Sequence, residues 1–534
     1  MIGLSNTQTF TAIGATAAAT YPGNGTSAQP RQRAAISVTY DAATQSYAIV
    51  APQASQTFTP SDRVAGLSNA NLTTFQRIAG TTTDTLILTN PGTSGLFNYQ
   101  FVGGGIQSRV VSASGVDDGR FNAFTYGIPA PNTAIPLTGT GTFPITITGM
   151  QAMNSAPVRF DGTGLLTADF AARTYSGSGI VTTRLPSVTG NAFSLLNQPF
   201  SLNGLISNGT VIFDGSIIVN STASYTAGIS LGFYGPGLQE IGGSFTGQNA
   251  SNQSIVGVLL GRTGTTAPPL ETLESLLTPV SVQALSTGIR YSANSPGLGF
   301  NGATLESSFQ SELLLNTPPV SYIFGDTLDS SNIVAAESNA RFNVYRPNAS
   351  TLVRIYRAGS GNDELALSYS GFGSRELQFT GAPRIDQFFV FGLETGVSLL
   401  PRTGTGIYQG VLYGSGVGAG SFADRFSLTG TANFNFNFAG GTFTGSLLPV
   451  AINQRDLSST NLGTYTFSNG QAPGANAMSN AFFGDIIGIA GATGRINGRF
   501  YGPNSQEVGG AFNLTTPGAG TTLTIAGAVV AKRQ

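Results

Sequence analysis

The sequence predicts an all-β protein made of two tandem copies of one unit. Three observations carry that prediction. Gly is 72 of 534 residues, and Gly, Thr, Ser and Asn supply turns between runs of Val, Ile, Phe, Tyr and Thr. Strand and turn signals recur about every 10–15 residues, a spacing that leaves little room for helices. Thirteen residues beginning at Phe233, FYGPGLQEIGGSF, return 267 positions later, at Phe500, as FYGPNSQEVGGAF.

The repeat extends well beyond that motif. SNANLTTF at 68–75 answers SNARFNVY at 338–345, and FTYG at 124–127 answers FVFG at 389–392. PLTGTGTF at 136–143 answers PRTGTGIY at 401–408, and DFAARTYSG at 169–177 answers NFAGGTFTG at 437–445. The matches keep their order, with offsets of 265 to 270, so a unit of about 265 residues has been doubled.

Within each unit the elements follow from local pattern. ISVTYDAATQSYAIV (36–50) reads as strand, Asp-Ala turn, strand. The run 82–105 reads as a strand, a Pro-Gly turn and another strand. In TANFNFNFAGGTFTGSL (431–447), Phe434, Phe436 and Phe438 alternate with Asn433, Asn435 and Asn437. Period two places the Phe rings on one face and the Asn side chains on the other, and AGG turns the chain into Thr442–Leu447. Between the units, APP breaks regular structure, and LETLESLL (270–277) has the apolar spacing of one short helix.

Composition excludes several chemistries. Charged residues are 9 % of the chain, against about 25 % in an average domain. Residues 1–267 carry 10 Arg and 9 acids, and the remainder 14 basic and 16 acidic groups, so neither half has the basic excess that binds nucleic acid. There is no His and no Cys, hence no imidazole or thiolate ligand, no disulfide and no Ser-His-Asp or Cys-His triad. Lys532 is the single lysine. The start, MIGLSNTQTFTAIGATAAAT, has neither the basic region nor the apolar core of a signal peptide, and no apolar run reaches the ~18 residues of a membrane helix.

The repeated motif has its own mechanics. Phe233 and Tyr234 end a strand, Gly235-Pro236 breaks it, Gly242-Gly243 lets the backbone kink or approach a neighbour, and Phe245 restarts the inward face. Phe500, Tyr501, Gly502, Pro503, Gly509, Gly510 and Phe512 read the same way. Glu240 and Glu507 are candidate ligands or acids, but the expectation is that each accepts backbone N–H groups at its own turn.

FYGPxxxE[IV]GGxF resembles the β-barrel domain of transferrin-binding protein B. With VTYDAATQSY, SNA…F, P-x-TGT-x-x-[FY] and DFAA-x-T-x-SG, the chain more closely resembles the two-lobed transferrin-binding protein-like solute-binding lipoproteins of Gram-negative bacteria. The resemblance spans nearly the whole chain. It implies two homologous lobes, each a β-rich handle domain beside an eight-stranded antiparallel β-barrel. The expected divisions are an N-lobe handle at 1–135, an N-lobe barrel at 136–264, a linker and C-lobe handle at 265–400 and a C-lobe barrel at 401–534. It also implies an outer-membrane surface lipoprotein, with its leader and lipidated Cys outside this sequence and Met1 an artificial or mis-called start. Cargo would pass to a TonB-dependent transporter. No motif marks transferrin itself as the ligand.

The leading functional expectation is a non-enzymatic binding module that captures a ligand or protein through loops on a fixed scaffold, for iron or nutrient uptake. No catalytic, cofactor-binding or metal residue is assigned, no cofactor is expected, and the ligand-binding residues stay unassigned. The alternative is a structural or adhesive surface protein. A transmembrane barrel would set the Phe row of 434–438 in lipid and the Asn row in a lumen. An enzyme would have to rely on carboxylates. Asp117 and Asp118 are adjacent, would face opposite ways on a strand, and are expected in a turn. GTGIYQG (404–410) precedes no helix and lacks the N-terminus a phosphate loop needs. Haem iron would have only Tyr or Met as ligand.

Overall fold

The computed structural model describes residues 6–22, 30–92, 97–153, 157–186, 193–207, 209–220, 224–276, 279–291, 303–315, 321–378, 384–418, 424–488, 491–516 and 522–534. The chain divides into two compact units, residues 1–185 with 196–270 and residues 186–195 with 271–534. The N-lobe and C-lobe below are the two sequence repeats, with strands over residues 8–262 and 280–533, that make up most of each.

Each lobe begins with an open sheet, the handle. In the N-lobe its strands are β1 (Gln8–Tyr21), β2 (Arg31–Asp41), β3 (Ser46–Val50), β4 (Gln56–Phe58), β5 (Leu72–Ala79), β6 (Thr82–Thr89), β7 (Val102–Ala113) and β8 (Val116–Gly127). They run in the order β4-β3-β2-β1-β8-β7-β6-β5. The barrel follows as β9 (Thr140–Ala152), β10 (Pro157–Asp169), β11 (Thr174–Pro186), β12 (Phe193–Leu205), β13 (Ile212–Val219), β14 (Tyr225–Tyr234), β15 (Glu240–Gln248) and β16 (Ser254–Arg262). Strand β16 pairs with β9, and β11 with β12, so eight strands close into a ring.

The C-lobe repeats this plan. Its handle strands are β17 (Val280–Tyr291), β18 (Ala303–Leu315), β19 (Ser321–Ile323), β20 (Asp326–Leu328), β21 (Phe342–Asn348), β22 (Thr351–Tyr356), β23 (Ser370–Leu377) and β24 (Ile385–Gly392). Their order, β20-β19-β18-β17-β24-β23-β22-β21, is the N-lobe order shifted by sixteen strands. The second barrel comprises β25 (Thr405–Gly418), β26 (Arg425–Asn437), β27 (Thr442–Asn453), β29 (Tyr465–Gln471), β30 (Ala481–Ile487), β31 (Thr493–Tyr501), β32 (Glu507–Thr516) and β33 (Leu523–Arg533), with a short β28 (Ser459–Asn461) added beside β27. It closes through β25–β33 and β26–β27. The doubling written in the sequence is therefore also a doubling of topology.

Both barrels are filled. Phe434, Phe436 and Phe438 are buried and Asn433, Asn435 and Asn437 exposed, as the alternation predicts. The Phe436 ring on β26 meets Phe500 on β31, four strands around the ring, at 4.7 Å between centroids. The Phe row thus lies inside the cylinder, where an eight-stranded barrel is just wide enough for side chains. This overturns the arrangement with Phe in lipid and Asn in a lumen. In the N-lobe, Phe213 and Phe233 meet at 5.0 Å and Phe160 and Phe245 at 6.2 Å. Each fully buried ring contributes on the order of 1.5–3 kcal/mol.

The helix expected at 270–277 does not form over the described residues, which end there at Leu276. Thr272 and Ser275 instead close a turn, with Ser275 N–H donating to the Thr272 carbonyl at 3.1 Å. The Leu273 N–H, which a helix would direct to residue 269, donates to Ser368 O at 2.9 Å. Eight residues are too few to repay helix nucleation against such competitors.

Candidate functional site

The repeated motif builds the joint between handle and barrel in each lobe. Strand β14 ends at Tyr234 and β31 at Tyr501. Just beyond, Gly235 N–H donates to Ile128 O at 2.9 Å and Gly502 N–H to Leu393 O at 2.8 Å. Ala130 N–H returns to Phe233 O, and Thr395 N–H to Phe500 O, at 2.9 Å in both. The motif thus pairs with the short segment leading from handle into barrel. Gly235 and Gly502 sit at φ +80° and +81°. A Cβ on Gly235 would come within 2.7 Å of the Phe101 ring, and one on Gly502 within 2.6 Å of Tyr369. Gly235→Ala is therefore expected to cost about 1–2 kcal/mol in backbone strain alone, read as a lowered urea midpoint.

Glu240 and Glu507 are almost fully buried, at 3 % and 0 % exposure. Glu240 accepts the N–H groups of Gln100, Phe101 and Val102 at 2.6, 2.7 and 2.9 Å. Glu507 accepts those of Ser368, Tyr369 and Ser370 at 2.7, 3.0 and 2.7 Å, and the Ser370 hydroxyl at 2.8 Å. Each carboxylate accepts backbone N–H groups as expected, but not those of its own turn. The acceptor there is the preceding glutamine: Gln239 Oε1 takes Gly237 N–H at 2.9 Å and Gln506 Oε1 takes Asn504 N–H at 2.8 Å. The glutamates reach across instead, because a buried row of N–H groups where the handle strand starts needs an acceptor. Both oxygens of each carboxylate are engaged, so these groups hold the joint rather than donate or accept protons in a reaction.

A second polar cluster lies between handle and barrel of the C-lobe. Asp386 on β24, 1 % exposed, accepts from Tyr291 OH at 2.7 Å, Ser415 Oγ at 2.8 Å, Arg384 Nε at 2.9 Å and Arg425 Nε at 3.1 Å. Glu376 on β23 receives Arg354 and Arg384. Burial alone would raise the Asp386 pKa; Arg425 and Arg384 outweigh it and, with the two hydroxyls, hold it below the ordinary Asp value. A depressed folded pKa means stability that is present above about pH 4 and lost as pH falls through the folded value. The stability gap between the parent and Asp386→Asn is therefore expected to be full at pH 7 and to shrink towards pH 3, measured by urea unfolding.

None of these charged residues was singled out in the sequence. The usable signal was charge inside strand patterns, GSRELQF at 373–379 and RIDQFF at 384–389, in a chain so poor in charge. Asp117 and Asp118 fall not in a turn but at the start of β8; the turn is Ser114–Gly115, with φ of +53° and +77°. Asp118 pairs with Arg120 at 3.0 Å. GTGIYQG runs into β25. Among the described residues no cluster of three or more acidic side chains is placed to hold a metal. Beside the N-lobe joint, Asn98, Tyr99, Pro144 and Arg262–Thr266 line an open hollow of about 300 Å³.

Residues 400–533 match the family model for the C-lobe and N-lobe β-barrels of transferrin-binding protein B. Transferrin-binding protein B of Haemophilus influenzae is 25 % identical over 302 residues, covering 53 % of this chain and 46 % of that protein, so the match spans about half the length of the relative. A solved variant of transferrin-binding protein B from Haemophilus parasuis aligns over 84 % of this chain and 86 % of its own, at 15 % identity and a TM-score of 0.29. The isotype 1 protein from serogroup B Neisseria meningitidis aligns over 89 % and 87 %, at 15 % identity and a TM-score of 0.26. With the family's barrel domain at residues 400–533 and the same joint built twice, the chain is recognised as similar to transferrin-binding protein B.

Proposed function

We propose that this chain is a non-enzymatic binding protein on the outer face of a Gram-negative outer membrane, held there by a lipid anchor. It captures a soluble ligand or protein and passes it to a TonB-dependent transporter. The observation that carries this reading is the barrel match at 400–533, set in a chain whose lobes share one plan. Filled barrels with loops at their ends leave specificity to the loops and handle surfaces. The Haemophilus influenzae relative is named for transferrin; for this chain a host or environmental protein, or the nutrient it carries, is the partner class.

The immobilised full chain, exposed first to purified iron-loaded transferrin and then to spent growth medium, tests the reading. Saturable retention of one partner is expected. Retention of none, together with concentration-dependent self-assembly on size-exclusion chromatography, would replace capture by a structural or adhesive role.

A further inference from the structure

A cavity of about 430 Å³ opens in the C-lobe between the handle strands β21–β24 and the barrel strands β25 and β26. One wall is aromatic. Phe372 stacks on Tyr413 at 5.2 Å and 26°, and Phe342 stands edge-on to both, at 5.7 and 5.1 Å. Tyr413 is fixed by its hydroxyl, which donates to Glu364 at 2.7 Å. The other wall is charged: Arg354, Arg425, Glu376 and Asp386 line it, and Glu337, paired with Arg346 at 3.3 Å, lines the cavity as well. Among the described residues Arg384, Arg354 and Arg425 pair with two carboxylates, Glu376 and Asp386, so these five groups by themselves carry one positive charge in excess. Arg425 directs Nε to Asp386, while Nη2, one of its two terminal nitrogens, stands 3.6 Å from Glu376, an ion-pair distance beyond hydrogen-bond reach.

The N-lobe is an internal control. Strand registers align Arg354 with Ile87, Glu376 with Ser108, Asp386 with Phe121 and Arg425 with Pro157. They also align Phe372 with Gly104 and Tyr413 with Thr148. There the joint is closed by an apolar cluster that includes Phe121, Ala123, Val256 and Val258. One lobe thus builds the same fold with no charge at these positions, so the fold does not demand the C-lobe's charges. Burying ion pairs where apolar packing suffices is not itself a route to stability. A cavity of this size, with an aromatic wall facing a few convergent polar groups, has the form of a small-molecule site.

We propose that this cavity binds a small planar organic anion, its acid group on Arg354 and Arg425 and its ring against Phe342, Phe372 and Tyr413. Guanidinium groups suit carboxylate and sulfonate geometry, and the aromatic wall supplies the apolar contact. The site does not depend on the capture reading, since strands of the handle and barrel supply most of its lining, with Glu337, Asn339 and Gln454 added from connecting segments.

The test uses the full chain, titrated in a calorimeter with 1-anilinonaphthalene-8-sulfonate and with 2-naphthoate. N-phenyl-1-naphthylamine serves as the uncharged analogue. One saturable site per chain is expected, at least about tenfold weaker for the uncharged analogue and for Arg354→Gln, the loss of one charge-assisted hydrogen bond. Ser374→Phe, which fills the cavity without removing a charge, is expected to abolish binding while the circular dichroism spectrum stays unchanged. If that variant misfolds, Thr429→Phe fills the cavity from the barrel side. No saturable binding, equal binding of the uncharged analogue, or binding that neither Arg354→Gln nor the filled variant weakens would overturn the proposal.

Discussion

Glu507→Ala is expected to destabilise the C-lobe by more than about 3 kcal/mol. A hydrogen bond to a charged group contributes roughly 1.5–3 kcal/mol, and each buried donor left without an acceptor costs about 1–3 kcal/mol. Three N–H groups and the Ser370 hydroxyl lose their acceptor together. The methyl group of alanine carries no oxygen to replace the carboxylate. Glu507→Gln keeps one oxygen but points an amide N–H₂ at donors, and should recover only part of the loss. Because two lobes need not unfold as one transition, the sharper readout is local. Hydrogen exchange at Ser368, Tyr369 and Ser370 should accelerate in the Glu507 variant while Gln100, Phe101 and Val102 stay protected. Glu240→Ala should give the reverse pattern. Unchanged protection at 368–370 would show that the joint does not rest on this carboxylate.

Phe436→Ala is expected to cost about 3–5 kcal/mol, the range for emptying an aromatic site in a packed core. The ring sits among Tyr408, Phe443, Phe482 and Phe500, with centroids 4.7 to 5.4 Å away. These neighbours come from β25, β27, β30 and β31, so they are held by a closed ring of strands and cannot collapse inward far. One residue earlier, Asn435 faces outward and is exposed. Its replacement by Thr should stay within about 0.5 kcal/mol. Urea unfolding of the two variants side by side measures the alternation directly; similar losses from both would contradict a filled barrel.

What could be read from the sequence was whatever is written along the chain. The doubling was legible because a duplicated gene repeats residues at a fixed offset. The Phe and Asn rows were legible because a strand alternates faces. The partners of Glu240 were not, because they are backbone N–H groups about 140 residues away, and a backbone amide has no signature in a sequence. The Asp386 network was hidden for a related reason. Arg354, Glu376, Arg384, Asp386 and Arg425 lie on β22, β23, β24 and β26 or just beside them, and only sheet register and barrel closure bring them together. The segment 270–277 misled because apolar spacing alone does not distinguish a helix from a turn whose leucines pack on a neighbour. Leu276 is buried in just that way.

The long reach of the two glutamates has a consequence for synthesis. A chain made from its N-terminus delivers Gln100, Phe101 and Val102 some 138 to 140 residues before Glu240 arrives to accept them. Glu240 opens the seventh strand of its barrel, as Glu507 does in the other lobe. Each lobe therefore stays unfinished until nearly all of it has emerged, whereas the first can be completed before the second is begun. A ribosome that stalls inside either barrel would release a chain whose handle still presents a row of unmet amides.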